Sequence, residues 1–308
     1  MLDYSLVAAV AAVVREGSFE RAAEALHVTP SAVSQRVKLI EERLGQPLVV
    51  RGQPCRATPA GEALCRHAER LRLMEHELAA AVPGLQALDA GVAAPPTLAL
   101  AVNADSLATW FIAAVADVTA EHGWLFDLRL EDQDHTAEQL ARGEVLAAVT
   151  ALATPLRGCR SRPLGALRYR ATASPAFVAR HFAAGVNAAT LAAAPCLVYN
   201  RQDRLQHRWM AQRLGGAAPA APCHWLPSSQ GFVDAARAGL GWGLNPEPLV
   251  REALAAGALV EIVPGTALDV PLHWQVLRAA EVLLAPLTQA VVPAAAAVLQ
   301  PLPPETET

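Results

Sequence analysis

GSFERAAEALHVTPSAVSQRVKLIEERLGQPLVVR, residues Gly17 to Arg51, carries the stop, cap and face signals of short helices joined by a tight turn. Gly17 ends a first helix, and Ser18 can cap a second, Phe19 to Leu26, whose Ala22, Ala23 and Leu26 share an apolar face. After the turn His27-Val28-Thr29, Thr29 is a natural N-cap, and Pro30 occupies the first helical position, where its missing N–H costs nothing. A third helix runs to about Leu44, with Gly45 as its left-handed stop. Ala32, Val33, Val37, Ile40 and Leu44 fall at helical spacing and predict the inward face. Ser31, Ser34, Gln35, Lys38 and, at the margin, Arg36 are left outside.

A polar-faced second helix after a three-residue turn is what a major-groove reader needs. Lys and Arg bind guanine edges or phosphates, Gln pairs bidentately with adenine, and Ser serves either surface. Pro47 to Thr58 reads as a β wing carrying Arg51 and Arg56. Local charge agrees: Arg36, Lys38, Arg43, Arg51 and Arg56 face only Glu41 and Glu42, a balance of +3 in a chain of net charge −4. A helical hairpin that is merely polar outside satisfies the same spacing.

The motifs themselves narrow the choice. Ala22-Ala23-x-x-Leu26, Ser31-x-x-Ser34, Leu39-Ile40-Glu41-x-x-Leu44-Gly45 and Thr58-x-x-Gly61 stand in order, and the run resembles the winged helix-turn-helix of LysR-type transcriptional regulators. That resemblance implies an all-α winged helix-turn-helix and linker helix, followed by an α/β domain of two lobes like those of periplasmic binding proteins. Its DNA face would comprise Thr29, Pro30, Ser31, Ser34, Gln35, Arg36, Lys38, Arg51 and Arg56. Many family members carry Gln where this chain has Pro30, which shifts readout toward Ser31, Ser34 and Gln35. Double-stranded operator DNA and, at the promoter, RNA polymerase are the implied macromolecular partners.

From Pro59 to Val82 the chain reads as one helix, with Leu64, Leu71 and Leu78 every seven residues and Met74 and Ala81 interleaved, a short coiled-coil seam. Packing onto its own domain fits that spacing too; the resemblance favours a homodimer, assembling further to a homotetramer. Pro83-Gly84 and Gly91 to Pro96 mark a joint, and beyond it β-rich runs alternate with helical ones. The expected domains are therefore 1–58, 59–90 and 91–300, with a Pro-rich, acidic, disordered tail at 301–308. Expected strands are Leu98–Val102, Phe126–Glu131, Val145–Thr150, Arg168–Ala173, Cys196–Tyr199, Leu259–Val263 and Leu272–Leu277, in mostly parallel sheets.

Ligands in such sheets sit at strand ends near helix N-termini. Asn103, Asp105 and Ser106 lie between a strand end and a helix start, and Ser228-Ser229 precede another helix. Both are anion-holding arrangements. Glu131, Asp132 and Asp134 end a strand; such a run is a solvated turn or a cation site. The stretches NADSLATW, LEDQDHTAEQLARGEVLAAVT, GCRSRPLGALRYRATASPAFV and SSQGFVDAARAGLGWG resemble the ArgP/LysG branch, which senses basic amino acids and controls their export. The resemblance implies L-lysine or L-arginine as effector, with Asp105 and Asp132 first for its cations and Glu131 and Asp134 as alternatives. Asn103, Ser106, Ser228 and Ser229 would hold the backbone end. A LysR-type regulator with a different small-molecule effector remains the alternative.

Composition bounds the rest. The 308 residues are 53% hydrophobic and 18% charged, which excludes a disordered or histone-like chain. Lys38 is the single lysine among 25 basic residues. Five scattered cysteines without a C-x-x-C pair read as reduced thiols in a cytosolic protein, and no ligand cluster or cofactor signature suggests a metal or cofactor. Leu6 to Val14 is too short to span a bilayer, and Val282 to Leu299 is interrupted by Pro286, Gln289 and Pro293. Gly239-x-Gly241-x-Gly243 lacks the full nucleotide-loop spacing and follows a helix, and no G-x-S-x-G elbow supports a hydrolase. A solute-binding module without DNA function fits the α/β part but not the attached helix-turn-helix.

Overall fold

The computed structural model describes residues 2–82, 95–130 and 133–302, the side chains of 73, 76–77, 79–81 and 133–135 excepted. The chain divides into two compact units, one ending at Thr97 and one beginning at Leu98.

The first unit is built on α1 (Tyr4–Glu16), α2 (Phe19–Ala25) and α3 (Pro30–Leu44). Each start is fixed by its cap: Asp3, Ser18 and Thr29 accept from the amides of Ser5, Arg21 and Ala32. The core is alanine-rich, with Ala9, Ala12, Ala22 and Ala23 essentially inaccessible, so the helices approach closely around Val10, Val33, Val37 and Leu48. Leu44, expected inside, is 49% exposed. The last core-facing residue of α3 is Ile40, and the left-handed turn at Gly45 carries the chain off toward the wing before Leu44 can be covered.

The wing is an antiparallel pair, β1 (Val49–Val50) and β2 (Arg56–Ala57). Glu41 anchors it from α3, accepting from the amides of Leu48 and Val49 at 2.8 and 3.1 Å. Thr58 then caps α4 (Pro59–Ala81), accepting from Gly61 N–H while donating to the Pro47 carbonyl at 2.8 Å. The Thr-x-x-Gly motif thus has a steric reason: a methyl group at Gly61 would collide with the Leu48 carbonyl oxygen. Along α4, Leu64 and Cys65 pack on the core, whereas Met74, Leu78 and Val82 are exposed. The seam therefore divides: its first turns serve the domain, Met74 and Leu78 are left bare, and the side chain of Ala81 lies outside the described residues.

The second unit holds a seven-stranded sheet, ordered β10-β6-β11-β5-β3-β4 with β9 beside β6. Its strands are β3 (Thr97–Val102), β4 (Leu125–Leu130), β5 (Ala147–Thr150), β6 (Cys159–Ala173), β9 (Gly243–Pro246), β10 (Val260–Glu261) and β11 (Leu268–Leu277). A separate parallel pair is formed by β7 (Cys196–Val198) and β8 (Cys223–Trp225). The sheet departs from the mostly parallel expectation: β6 and β11 are antiparallel to each other, β11 to β5, and β6 to β9 and β10. β3 runs parallel to β5, and β7 to β8. The reason is that β6 and β11 are long strands that leave one half of the sheet and enter the other. The ends nearest Cys159 and Leu277 join β5 and β3, and the opposite end of β6 joins β9 and β10. Two lobes result.

Helix α5 spans residues 104–122 with a π turn at Leu107–Phe111, and α6 is Gln133–Arg142. The second lobe adds α7 (Pro175–His181), α8 (Ala188–Ala193), α9 (Leu205–Leu214), α10 (Ser229–Arg237) and α11 (Glu247–Ala255), and α12 (Ala285–Ala296) returns to pack on α5. At the crossover β6 and β11 lose register beside Leu272 and His273, and Gly165 takes φ +126°. Gln300 is pinned there, exchanging backbone hydrogen bonds with Ala166 at 2.8 and 2.9 Å. The tail expected to be disordered lies outside the described residues from 303 onward, as do Gly91 to Ala94 of the joint. Among the described residues no helix is long and apolar enough to cross a membrane.

Gly61→Ala is expected to destabilise the first unit by about 1–3 kcal/mol through overpacking against Leu48. The measurement is the chemical-denaturation midpoint of helical circular dichroism; an unchanged midpoint would show that the wing yields to the methyl group.

Candidate effector cavity and DNA-facing surface

Asp105 opens α5, directly after β3. Its carboxylate reaches across to the other lobe. Tyr169 of β6 donates to Oδ2 at 2.7 Å, and Ser229, first residue of α10, donates to Oδ1 at 2.6 Å. Burial pushes the Asp105 carboxyl above the usual range and the nearby Asp203 charge adds to this, while the two hydroxyl donors pull it back. Tyr169 is held fully protonated by its own burial and then by the Asp105 charge.

Asp105 borders a cavity of about 510 Å³ whose other walls include Asn103, Leu130, Tyr199, Asn200, Asp203, Ser229 and Phe232. The turn after β7 brings Asp203 in: Asn200 Oδ1 accepts from the amides of Gln202 and Asp203, and Asp203 accepts from those of Tyr199 and Leu205. The described lining contains two carboxylates and no Lys or Arg. Asn103 contributes a buried Oδ1 with no hydrogen-bond partner among the described residues.

The expected effector residues are thus partly brought together. Asn103, Asp105 and Ser229 share the cavity wall. Ser106 is wholly buried, its Oγ without a partner among the described residues, and is not on the wall; Ser228 is exposed and caps α10 by accepting from Gly231 N–H at 3.0 Å. Glu131 and Asp132 lie outside the described residues, as does the side chain of Asp134; Leu130, immediately before them, lines the cavity. Tyr169, Tyr199 and Asp203 escaped the sequence reading. The signal available for Asp203 was a polar turn following a strand end, where α/β ligand sites collect.

In the first unit, Thr29, Pro30, Ser31, Gln35 and Lys38 are exposed on α3, and Ser34 and Arg36 are half-buried. Lys38 pairs with Glu42 at 3.5 Å, both well exposed. Arg51 and Arg56 are exposed on the wing, and the Arg51 guanidinium stacks 5.1 Å from the Phe19 ring centroid, which orients it.

Residues 5–62 match the helix-turn-helix of the bacterial regulatory protein, lysR family, and residues 94–300 match the LysR substrate binding domain. The chain belongs to the LysR family. This LysR-type regulator is 49% identical to the HTH-type transcriptional regulator ArgP of Pseudomonas aeruginosa over 289 residues, 94% of each chain. It is 44% identical to ArgP from Mycobacterium tuberculosis, whose crystal structure superposes with a TM-score of 0.76 over 98% of this chain and 100% of that one. Full-length LysG of Corynebacterium glutamicum, solved with bound effector Arg, is 38% identical, with a TM-score of 0.67 over 97% of this chain and 100% of that one. These relatives place the LysR-type regulator in the ArgP/LysG branch. They are transcriptional regulators, and the nucleotide-loop and hydrolase readings are set aside.

Because burial raises the Asp105 pKa, the folded regulator holds that proton more tightly than the unfolded chain, so Asp105 lowers stability as pH rises through the interval above 3.8. The melting temperature of Asp105→Asn relative to the parent should therefore be more favourable at about pH 7 than at about pH 4. A difference independent of pH would show that the Ser229 and Tyr169 hydrogen bonds cancel the burial.

Proposed function

We propose that this regulator binds a basic amino acid, L-arginine or L-lysine, between its two lobes, and that occupancy biases the geometry of paired DNA readers. The observation that carries the reading is the charge of the cavity: Asp105 and Asp203 line it with no basic side chain among the described lining residues. A volume of about 510 Å³ suits a ligand of amino-acid size. That C. glutamicum LysG was solved with bound Arg supports the same chemistry. Asp105 and Asp203 receive the side-chain and ammonium charges, with Asp132, and behind it Glu131 and Asp134, as further candidates. Asn103 and the amides opening α5 and α10 suit the ligand's carboxylate, since helix N-termini favour anions. The controlled gene, in this reading, encodes an amino-acid exporter.

The DNA side rests on α3 and the wing. Gln35, Ser31 and Ser34 read base edges, Thr29, Pro30 and Arg36 flank them, and Lys38, Arg51 and Arg56 contact phosphates. The bare Met74, Leu78 and Val82 of α4 pair two copies, placing two readers on half-sites about one helical turn apart.

Calorimetry should show L-arginine or L-lysine binding at least tenfold tighter than uncharged L-citrulline, and Asp105→Asn should lose at least tenfold with the fold intact. Citrulline binding as well as arginine would sink the cationic reading, and unchanged affinity in Asp132→Asn would remove that residue from the site. Gel shifts on the DNA upstream of the exporter gene should show Gln35→Ala losing about 1–3 kcal/mol with relaxed sequence preference, and Arg51→Ala lowering the salt slope by about one phosphate. Light scattering that found only monomers at micromolar concentration would overturn the paired-reader geometry.

A further inference from the structure

Cys196 and Cys223 stand 27 residues apart in sequence but face each other in register as the first residues of β7 and β8. Their Sγ atoms are 3.3 Å apart. Neighbouring strands lie about 4.8 Å apart, inside the Cα range of about 4.4–6.8 Å that a disulfide bridges. Small side-chain rotations would therefore bring the sulfurs to bonding distance. Cys223 is half-buried and open to a small oxidant, whereas Cys196 is only 2% exposed and is reached through its partner. Neither sulfur serves the effector cavity. We propose that Cys196 and Cys223 form a reversible thiol–disulfide modification site, closed by a peroxide, and that closure stiffens the ribbon carrying two walls of the cavity.

The chemistry needs only the pair and the peroxide. The Cys223 thiol loses its proton to solvent and its thiolate attacks one oxygen of hydrogen peroxide; the O–O bond breaks, a sulfenic acid forms, and the released hydroxide takes up that proton to become water. Cys196 Sγ then attacks the Cys223 sulfur; the S–S bond forms, the S–O bond breaks, and the departing hydroxide takes the Cys196 thiol proton to become water. Two thiols have lost two electrons and two protons, and the peroxide has become two waters. An external thiol reverses the reaction by exchange. Burial and the adjacent Cys223 push the Cys196 thiol far above its usual range, which makes it the resolving partner and Cys223 the first to react.

The location gives the modification a consequence. β7 runs directly into Tyr199, Asn200, Gln202 and Asp203, and β8 leads to Pro227 and Ser229, all of them on the cavity wall. At the cavity end the ribbon is tied by Leu226 N–H to the Val198 carbonyl at 2.9 Å and by Arg201 stacked 5.5 Å from the Trp225 ring. At the other end Cys196 N–H donates to the Pro222 carbonyl at 2.8 Å, and the two thiols face each other beside that single backbone tie. A disulfide there adds a covalent tie where one hydrogen bond now holds the strands.

Treating the full-length chain with hydrogen peroxide, alkylating the remaining thiols and mapping its peptides tests this without any ligand, so its outcome is separate from that of the effector reading. The expected result is a Cys196–Cys223 crosslink that a reductant reverses. It should come with a melting temperature several degrees higher and slower amide exchange across residues 196–203 and 223–232. Cys223→Ser, at a half-buried position, should keep the reduced protein's melting temperature and lose the crosslink, with Cys196→Ala as the second control. Sulfinic acid at Cys223 without a crosslink, disulfides through other cysteines, or a crosslink that leaves amide exchange unchanged would each overturn the proposal.

Discussion

The carboxylate of Asp105 is the point on which the sensing unit turns. It belongs to α5 of one lobe, and its two hydroxyl donors, Tyr169 and Ser229, belong to the other. Hydrogen bonds to a charged acceptor are strong, so the three residues bind the lobes across the cavity. They do not neutralise the charge. A buried carboxylate satisfied only by hydroxyls still lacks a counter-ion, and Asp203 nearby adds a second negative charge. The same atoms that hold the lobes together therefore make a cationic guest favourable and a neutral one not.

What surrounds Asp105 permits small motions. The lobes are joined covalently only where β6 and β11 pass between them, and both strands are irregular at that crossing, at Gly165 and beside Leu272 and His273. The C-terminal segment clamps the place: a side chain at Gly165 would strike the Gln300 carbonyl and the Leu299 side chain. Glycine there serves both the backbone angle, which L-residues rarely adopt, and the close approach of the strap. A hinge of two strands with one strap suits a unit in which ligand contacts at the cavity must be felt elsewhere.

What could be read from the sequence and what could not divide by range. Caps are local: Ser18, Thr29 and Gly45 announce the helix ends, and Thr58 with Gly61 announces the start of α4. Asp105 was legible because a strand end followed by a helix start is a local pattern. Its partners were not, since Tyr169 and Ser229 lie 64 and 124 residues away. The first half of β6 was hidden by Pro163 and Gly165, which punctuate loops in most contexts but here sit at the crossing of two long strands. Leu44 misled for a related reason, because helical spacing identifies a face but not where the core beneath it stops. The two cysteines looked scattered because only the β7–β8 pairing makes them neighbours.

Charge on the DNA side sets how much the sensor must deliver. The basic surplus of the first unit is confined to α3 and the wing, and its acidic residues are already engaged: Glu41 holds the amides of Leu48 and Val49, and Glu42 pairs with Lys38. Few phosphates can be neutralised by each copy, so in the proposed pairing binding would depend on two copies engaging with the right spacing, and a change in spacing would be enough to alter affinity. Moving a two-state assembly from one extreme to the other requires a differential affinity of about 5.5 kcal/mol. A charge-assisted hydrogen bond contributes about 1.5–3 kcal/mol, so in the proposed reading a cation engaging the buried Asp105 and the half-buried Asp203 in one state and not the other supplies the required order. In the proposed reading, Asp105 together with Asp203, rather than either carboxylate alone, would let the cavity act as a switch.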